Sequence, residues 1–302
     1  MTDLSRRRFA ALMAAAAAAP FTHDESVSAA DPITAEQVIA RILKNLGATE
    51  WKSPSVDGMK AGAPATSITG VVTTSMATLQ VLQQAVKARS NFIITAQPTF
   101  FGQADSPTPP PPRGGGAAPS DRVFEAKNDF ITKQNLVIVR LSEHWKLRRP
   151  DPLVQGLAAA LNWTRYQSAA DPSTIEMPPV ALRALAASVK TGLRARGGVR
   201  VIGEETLAVR RIGLLPGTTP IQAALKMLPE VDVIVAGEVR EWESVEYVRD
   251  QVFSGAGKGL ILVGRVVSEE PGMKACADWL KTFVSEVPVT HIAAGDPYWR
   301  PA

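Results

Sequence analysis

The chain has 302 residues, of which 45% are apolar and 21% charged, a composition typical of folded globular proteins. The formal net charge is only +4, and nucleic-acid-binding proteins need denser clusters of basic residues, so we expect no nucleic-acid partner. The single cysteine, Cys276, excludes an intrachain disulfide. It lies in an apolar helical stretch, where we expect it to pack rather than react.

The N-terminal segment, residues 1–29, has the pattern of an export signal. Three arginines at 6–8 precede Phe9 and an alanine-rich apolar run, and Val27-Ser28-Ala29 suits cleavage. The arginine pattern resembles the twin-arginine type of signal. The apolar run is shorter than the roughly 20 residues that a membrane-spanning helix needs. We therefore expect a periplasmic or secreted protein without a stable membrane anchor after cleavage.

The first elements after this segment carry clear boundary signals. Thr34 and Gln37 form a capping box at the start of a helix that Gly47 ends. Apolar periodicity then predicts a strand at 68–73, a helix at 79–86 and a buried strand at 92–95. Ligand sites in α/β proteins follow the carboxyl ends of such strands, so the turn after residue 95 is a candidate site.

Prolines and glycines dominate residues 103–120 and exclude a helix or a central strand there. We predict a disordered surface loop. Because it directly follows the candidate turn, two interpretations are open. The loop is either an exposed insertion or a lid over the site.

The rest of the chain alternates between helices and strands. We predict helix 121–134, strand 136–141, helices 152–162 and 179–196, strands 199–202 and 206–213, helix 219–228, strand 231–235, helix 241–252, strand 259–263, helix 271–284 and strand 289–293. This alternation predicts an α/β fold with two α/β lobes, whose mixed sheets are flanked by helices, and a cleft between the lobes. The first lobe comprises residues 30–102 and 121–200, and the second comprises residues 201–302.

The sequence matches neither a phosphate-binding loop nor a histidine-rich metal centre. The glycine-rich stretch 255–259 lacks the first glycine and the Ser/Thr of a phosphate-binding loop, and a strand follows it. After the predicted leader only His144 and His291 remain, so a histidine-rich metal centre is excluded. Any metal would depend on carboxylates, which favour hard cations. His291 alternates with apolar residues on a strand and is expected to be structural.

Two segments resemble the dinuclear-metal-centre family, also called NGG-interacting-factor-three-like or GTP cyclohydrolase I type 2-like. They are residues 71–102, which end in Thr-Ala-Gln-Pro, and residues 231–272, which contain Gly-Arg-Val-Val-Ser-Glu-Glu-Pro-Gly. The closing Asp-Pro-Tyr at 296–298 is also similar. The resemblance implies two α/β lobes with a metal site in their cleft, assembled as a toroidal hexamer. The implied ligands are a Thr-His-x-Pro turn, a mid-chain His/Asp segment and a Gly-His-x-x-Ser-Glu motif.

The chain departs from that pattern at its histidines. Ala96 and Gln97 occupy the histidine positions of the first motif, and Arg265 occupies that of the last, where Glu269 is retained. A guanidinium has no lone pair for a metal and repels a dication. We therefore predict a degenerate site in which Arg265 neutralises a buried carboxylate, either Glu269 or Glu143. Ser268 is expected to cap the helix at 271–284.

Two sets of site residues follow from the resemblance. Thr95, Gln97 and Arg265 are the candidate residues for binding a small molecule in the cleft. Glu143, His144 and Glu269 are the candidate ligands of a divalent metal, although that set is incomplete. An acidic run at Glu238, Glu241, Glu243 and Glu246 is expected to be mainly a solvated helix face.

Three functional interpretations remain open at this stage. The first is an exported homo-oligomer without a metal or catalytic activity, which binds a small molecule or a partner in the former metal cleft. The second is a metal-dependent hydrolase with a rearranged, carboxylate-rich site. The third is a purely structural ring. The residues do not identify a substrate.

Overall fold

The computed structural model describes residues 32–113 and 120–301, so the predicted export signal and part of the predicted loop lie outside the described residues. The helices are α1 (Ala35–Asn45), α2 (Leu79–Lys87), α3 (Arg122–Lys133), α4 (Glu143–Lys146), α5 (Pro152–Ala160), α6 (Leu182–Gly192), α7 (Ile221–Met227), α8 (Glu246–Phe253) and α9 (Arg265–Leu280). The strands are β1 (Gly58–Ala61), β2 (Val71–Thr74), β3 (Phe92–Thr95), β4 (Val137–Arg140), β5 (Thr174–Ala181), β6 (Arg200–Ile202), β7 (Ala208–Thr218), β8 (Val233–Glu238), β9 (Gly259–Leu262) and β10 (Val289–His291). None of the described helices is apolar over a length that would cross a bilayer.

Side-chain caps fix where several helices begin. The predicted capping box at Thr34 is confirmed, because its Oγ1 accepts from the Gln37 N–H while its own N–H donates to Gln37 Oε1. Thr78 and Asp121 cap α2 and α3 by accepting backbone N–H groups of the first turn, without the reciprocal bond of a capping box. Asp151 caps α5, whose first residue is a proline and needs no N–H partner.

The first sheet has the order β1-β4-β3-β2-β10. Its inner strands are parallel, and only β1 runs antiparallel, against β4. β2, β3 and β4 are buried at every position, as expected for parallel strands covered on both faces. Their shared register aligns Thr74, Thr95 and Arg140 at one edge.

The second sheet has the order β5-β7-β8-β9-β6. Its three central strands are parallel, and the outer strands β5 and β6 are antiparallel to their neighbours. Both sheets are therefore mixed and flanked by helices, which confirms the predicted α/β fold class. The sheets do not divide the chain at residue 200, however, because β5 belongs to the second sheet and β10 to the first.

Two elements differ from the prediction. β5 replaces the start of the helix predicted at 179–196, because two prolines inside it obscured a strand pattern. Prolines are tolerated there since β5 lies at the edge of its sheet and its pairing with β7 is irregular at that point. The last long helix begins at Arg265 and not at 271, and Pro271 lies inside it.

Helix α9 lies in contact with both sheets. It contacts β2 and β10 of the first sheet, β7 and β8 of the second, and it packs along α5. Its buried residues are Ser268, Glu269, Gly272, Met273, Cys276, Ala277 and Leu280. The predicted packing role of Cys276 is confirmed, since the thiol is fully buried and burial raises its pKa. A polar group, Glu269, therefore lies on the buried face of the helix that joins the sheets.

Glycines set the distance between α5 and α9. A Cβ atom on Gly156 of α5 would lie 2.5 Å from the backbone nitrogen of Gly272 on α9. A Cβ atom on Gly272 would collide in turn with Leu153. The two helix backbones therefore approach so closely that neither position accepts a methyl group without a shift.

We predict that Gly156→Ala lowers the free energy of unfolding by about 1–3 kcal/mol, because the added methyl group overpacks this contact. Gly102→Ala is the matched control, since a Cβ there meets no atom within 4 Å. Urea unfolding followed by circular dichroism measures both variants. Equal stability of the two would contradict the described helix contact.

Candidate functional site

The candidate site lies past the carboxyl ends of β2, β3 and β4, beside the first turns of α9. In α/β folds ligands bind at this end of parallel strands. Thr95 is the last residue of β3 and is fully buried. Its Oγ1 donates to the carbonyl of Gln97 at 3.0 Å, so this predicted ligand-binding side chain shapes the turn instead of facing a ligand. Ala96 packs in the core between the sheet and α9.

Gln97 connects the turn after β3 to α9. Its Nε2 donates to Glu269 Oε2 at 2.5 Å, and only 2% of the residue is exposed. Its Oε1 has no hydrogen-bond partner within the described part of the chain. The structure therefore brings together Gln97 and Glu269, which the sequence assigned to different ligand sets.

The carboxylate of Glu269 is fully buried. Its Oε1 lies 3.8 Å from Lys146 Nζ, at the end of α4. Gly217 (φ +80°) leaves room for it, because a Cβ there would lie 2.5 Å from Glu269 Oε1. Burial raises the pKa of this carboxyl, while Lys146, Gln97 and Arg265 act to lower it. Lys146 is the nearby cation that the sequence interpretation missed.

Arg265 does not form the predicted ion pair. Among the described residues, neither Glu269 nor Glu143 pairs with its guanidinium, although its charge acts on Glu269 at longer range. The reason is the early start of α9, which places Arg265 in the first turn beside a cavity. Its Nε is buried and has no partner in the described structure.

Ser268 does not cap α9. Its Oγ donates to the carbonyl of Arg265 at 2.7 Å and accepts from the N–H of Gly217 at 2.9 Å. The hydroxyl therefore joins the first turn of α9 to β7. This contact holds the loop side of the second sheet against the helix that carries Glu269.

Glu143 and His144 lie against a different segment. His144 Nε2 accepts from the N–H of Lys52 at 3.1 Å, so Nδ1 carries the proton and donates to Asp57 at 2.8 Å. Glu143 is exposed and accepts from Ser55. Both ring nitrogens of His144 are thus engaged. Within residues 32–113 and 120–301, no three His, Cys, Asp or Glu residues are grouped to hold a metal, so Glu143, His144 and Glu269 do not form a common ligand set.

A second polar network ties β10 to α9. Glu270 accepts from Ser75 Oγ at 2.6 Å and from the N–H of Ala294 at 3.1 Å. His291 Nε2 lies 3.1 Å from the other carboxylate oxygen of Glu270, and its Nδ1 lies 3.2 Å from Thr73 Oγ1. The interpretation of His291 as structural agrees with these contacts.

Lys127 of α3 lies beneath the turn that follows β3. Its ammonium donates to the carbonyl of Thr99 and lies 4.8 Å from the ring centre of Phe101. Burial lowers the pKa of Lys127 to about 8, and the charge of Asp105 opposes that shift. Lys127 is therefore a buried cation beside this turn that the sequence did not indicate.

A cavity of about 700 Å³ opens beside the N-terminus of α9. Its charged lining residues are Arg200, Glu238, Arg265, Asp296 and Arg300. Tyr298 and Trp299 also line it, and Leu262 and Val263 add apolar surface.

No protein-family model matches the sequence, and the comparison with curated proteins found no match. Solved structures do match. They include the Staphylococcus aureus hypothetical protein SA1388, with a TM-score of 0.66 and 16% identity over 90% of this chain and 100% of that one. A Bacillus cereus protein related to NIF3 has a TM-score of 0.65 and 12% identity over 89% and 99% of the two chains. Reduced HcgD from Methanocaldococcus jannaschii has a TM-score of 0.60 and 14% identity over 86% and 97%. The chain therefore has the fold of NIF3-related proteins, as the resemblance implied.

We predict that Lys146→Met lowers the free energy of unfolding by about 1–2 kcal/mol at neutral pH, because Glu269 loses its nearest cation while solvent weakens the pair. Lys146→Met/Glu269→Gln should lose less than the sum of the single variants, since a neutral amide needs no cation. Urea unfolding of all three variants gives the coupling. Additive losses would contradict the pairing of Lys146 with Glu269.

Lys127→Met should change how stability depends on pH. The pKa of about 8 in the folded chain lies below the ordinary value of 10.5, so the unfolded chain binds more protons between these values. Stability of the native sequence relative to the variant should therefore rise as the pH increases from about 8 to 10.5. Below pH 8 the penalty for burying the ammonium is fully present. Urea unfolding across this range measures the difference, and a constant difference would contradict the lowered pKa.

Proposed function

We propose that this protein is an exported, metal-free member of the dinuclear-metal-centre family whose cleft binds a small molecule. The observation that carries the proposal is the surroundings of Glu269. A buried carboxylate that would bind a metal instead accepts from the amide of Gln97 and lies 3.8 Å from the ammonium of Lys146. In place of a metal ion, Gln97 supplies a hydrogen bond to Oε2 and Lys146 supplies a positive charge near Oε1, which has no hydrogen-bond partner in the described part of the chain.

The donor set does not fit a dinuclear metal centre. An ammonium and a guanidinium have no lone pair for a metal, and Gln97 turns its NH₂ group toward Glu269. A unit charge about 4 Å from another contributes on the order of 4 kcal/mol near a protein surface, so Lys146 would strongly repel a dication at Glu269. The metal-dependent hydrolase is therefore the weaker candidate.

Export and assembly belong to the same proposal. The twin-arginine pattern in residues 1–29 supports a periplasmic or secreted location. The family resemblance supports a homo-oligomer, and a hexamer would be the expected form. Trp242 and Phe253 are 73% and 93% exposed, and an interface between subunits would cover such side chains.

Metal analysis of the mature, untagged protein by inductively coupled plasma mass spectrometry tests the proposal. After incubation with manganese, iron or zinc and desalting, we expect metal far below one ion per chain. Gln97→His/Lys146→Ala/Arg265→His is the positive control, because it places two imidazoles near Glu269, removes the ammonium that repels a dication, and should bind zinc. Stoichiometric metal in the native protein would contradict the proposal.

A further inference from the structure

The cavity beside α9 has the charge pattern of an anion site. Three arginines, at 200, 265 and 300, line its volume of about 700 Å³ together with two acidic residues. One acid, Asp296, accepts the N–H groups of Gly197 at 2.6 Å and Tyr298 at 3.0 Å, so its oxygens are held by the backbone. Three arginines against Glu238 and Asp296 give the lining a formal charge of +1.

The positive end of a long helix opens into the same cavity. Helix α9 has 16 residues, no acidic residue in its first turn and no side-chain cap at Gly264. Residues 264–267 all line the cavity. The first N–H groups of a helix have no partner within the helix, and they bind anions well when they face a cavity.

Arg265 is the arginine available to a ligand. Arg200 pairs with Glu241, and Arg300 Nε donates to the carbonyl of Gly197. By contrast, Arg265 has no carboxylate partner in the described part of the chain, and its buried Nε has no hydrogen-bond partner there. A buried donor without a partner is unfavourable unless a ligand or water accepts from it. The unpartnered Nε of Arg265 is therefore a second observation, besides the helix terminus, that favours a bound anion.

Aromatic side chains complete the cavity. Tyr298 and Trp299 line it and are 70% and 67% exposed. The segment that carries them packs closely against two glycines. A Cβ on Gly197 would lie 2.5 Å from Tyr298 Cβ, and a Cβ on Gly198 would lie 2.6 Å from Arg300 Nε. The close approach at both glycines positions the two rings at the mouth of the cavity. Such rings bind flat ligands by stacking.

We propose that this cavity binds an organic anion that carries a flat ring. Its carboxylate or phosphate group accepts from Arg265 and the first N–H groups of α9, and its ring contacts Trp299 and Tyr298. The inference rests on the proposed small-molecule function and names the class of ligand.

Isothermal titration calorimetry with the full mature protein tests this inference. The probe is phenyl phosphate, with inorganic phosphate to remove the ring and phenol to remove the charge. Benzoate distinguishes a carboxylate from a phosphate as the bound group. We expect phenyl phosphate or benzoate to bind at least about tenfold more tightly than either fragment, since both contacts contribute. Binding of phenol as tight as that of the charged probes would overturn the proposed anion site.

Charge variants locate the binding site. Arg265→Met should weaken binding of the probe about tenfold through loss of a charge-assisted hydrogen bond, and Glu238→Gln should tighten it. Arg249→Met is the matched control, because Arg249 is 68% exposed and lies outside the cavity lining. Equal binding by Arg265→Met and Arg249→Met would overturn the assignment.

Trp299→Ala keeps the inference testable if Arg265→Met fails to fold, since Trp299 is exposed and supports no core contact. It should weaken phenyl phosphate about fivefold and leave inorganic phosphate unchanged. An equal loss for both ligands would overturn the role of the ring.

The two proposals fail separately. Stoichiometric metal with phenyl phosphate binding that depends on Arg265 would overturn the metal-free function and support the anion site. Absence of metal together with undetectable binding of every probe would support the metal-free function and overturn the anion site.

Discussion

The arrangement of this site depends on one buried carboxylate. Glu269 lies on the buried face of α9, the helix in contact with both sheets. A buried charge is tolerated only with hydrogen bonds and opposite charge. Gln97 provides the first from the turn after β3, and Lys146 provides the second from α4. One side chain therefore fixes how the ends of the first sheet meet the helix, and Gly217 leaves the space for it on the second sheet.

The surroundings of Glu269 distinguish a cleft that holds a metal ion from one that is filled by side chains of the protein. A metal centre gathers several donors around an ion and leaves coordination positions for a ligand. Here Gln97 donates to one oxygen of Glu269, and Lys146 Nζ lies 3.8 Å from the other, which has no hydrogen-bond partner in the described part of the chain. The remaining open space lies a short way along α9, where Arg265 faces the cavity. The proposed anion site and Glu269 then lie on neighbouring turns of one helix.

The sequence predicted most of this fold but less of the site. Periodicity and capping signals located the parallel strands and α1 because such signals are local. The sequence did not predict the full extent of β5, because its prolines are acceptable only at a sheet edge. Whether a strand lies at an edge is a property of the assembled sheet. The resemblance indicated Gln97 and Glu269, but Lys146 could not be assigned, since its contact joins residues far apart in the chain. The interpretation of Pro271 as the start of the helix also placed Arg265 before the helix, whereas it is the first helical residue and lines the cavity.

The position of β10 has a consequence for how the chain acquires its structure. This strand pairs in parallel with β2, and contacts such as that between Thr73 and His291 join residues 218 positions apart. The first sheet cannot be completed on the ribosome until β10 has been synthesised. Closing so long a segment is entropically unfavourable and slows folding. The edge of β2 that pairs with β10 therefore stays without its strand partner until residues 289–291 have been synthesised.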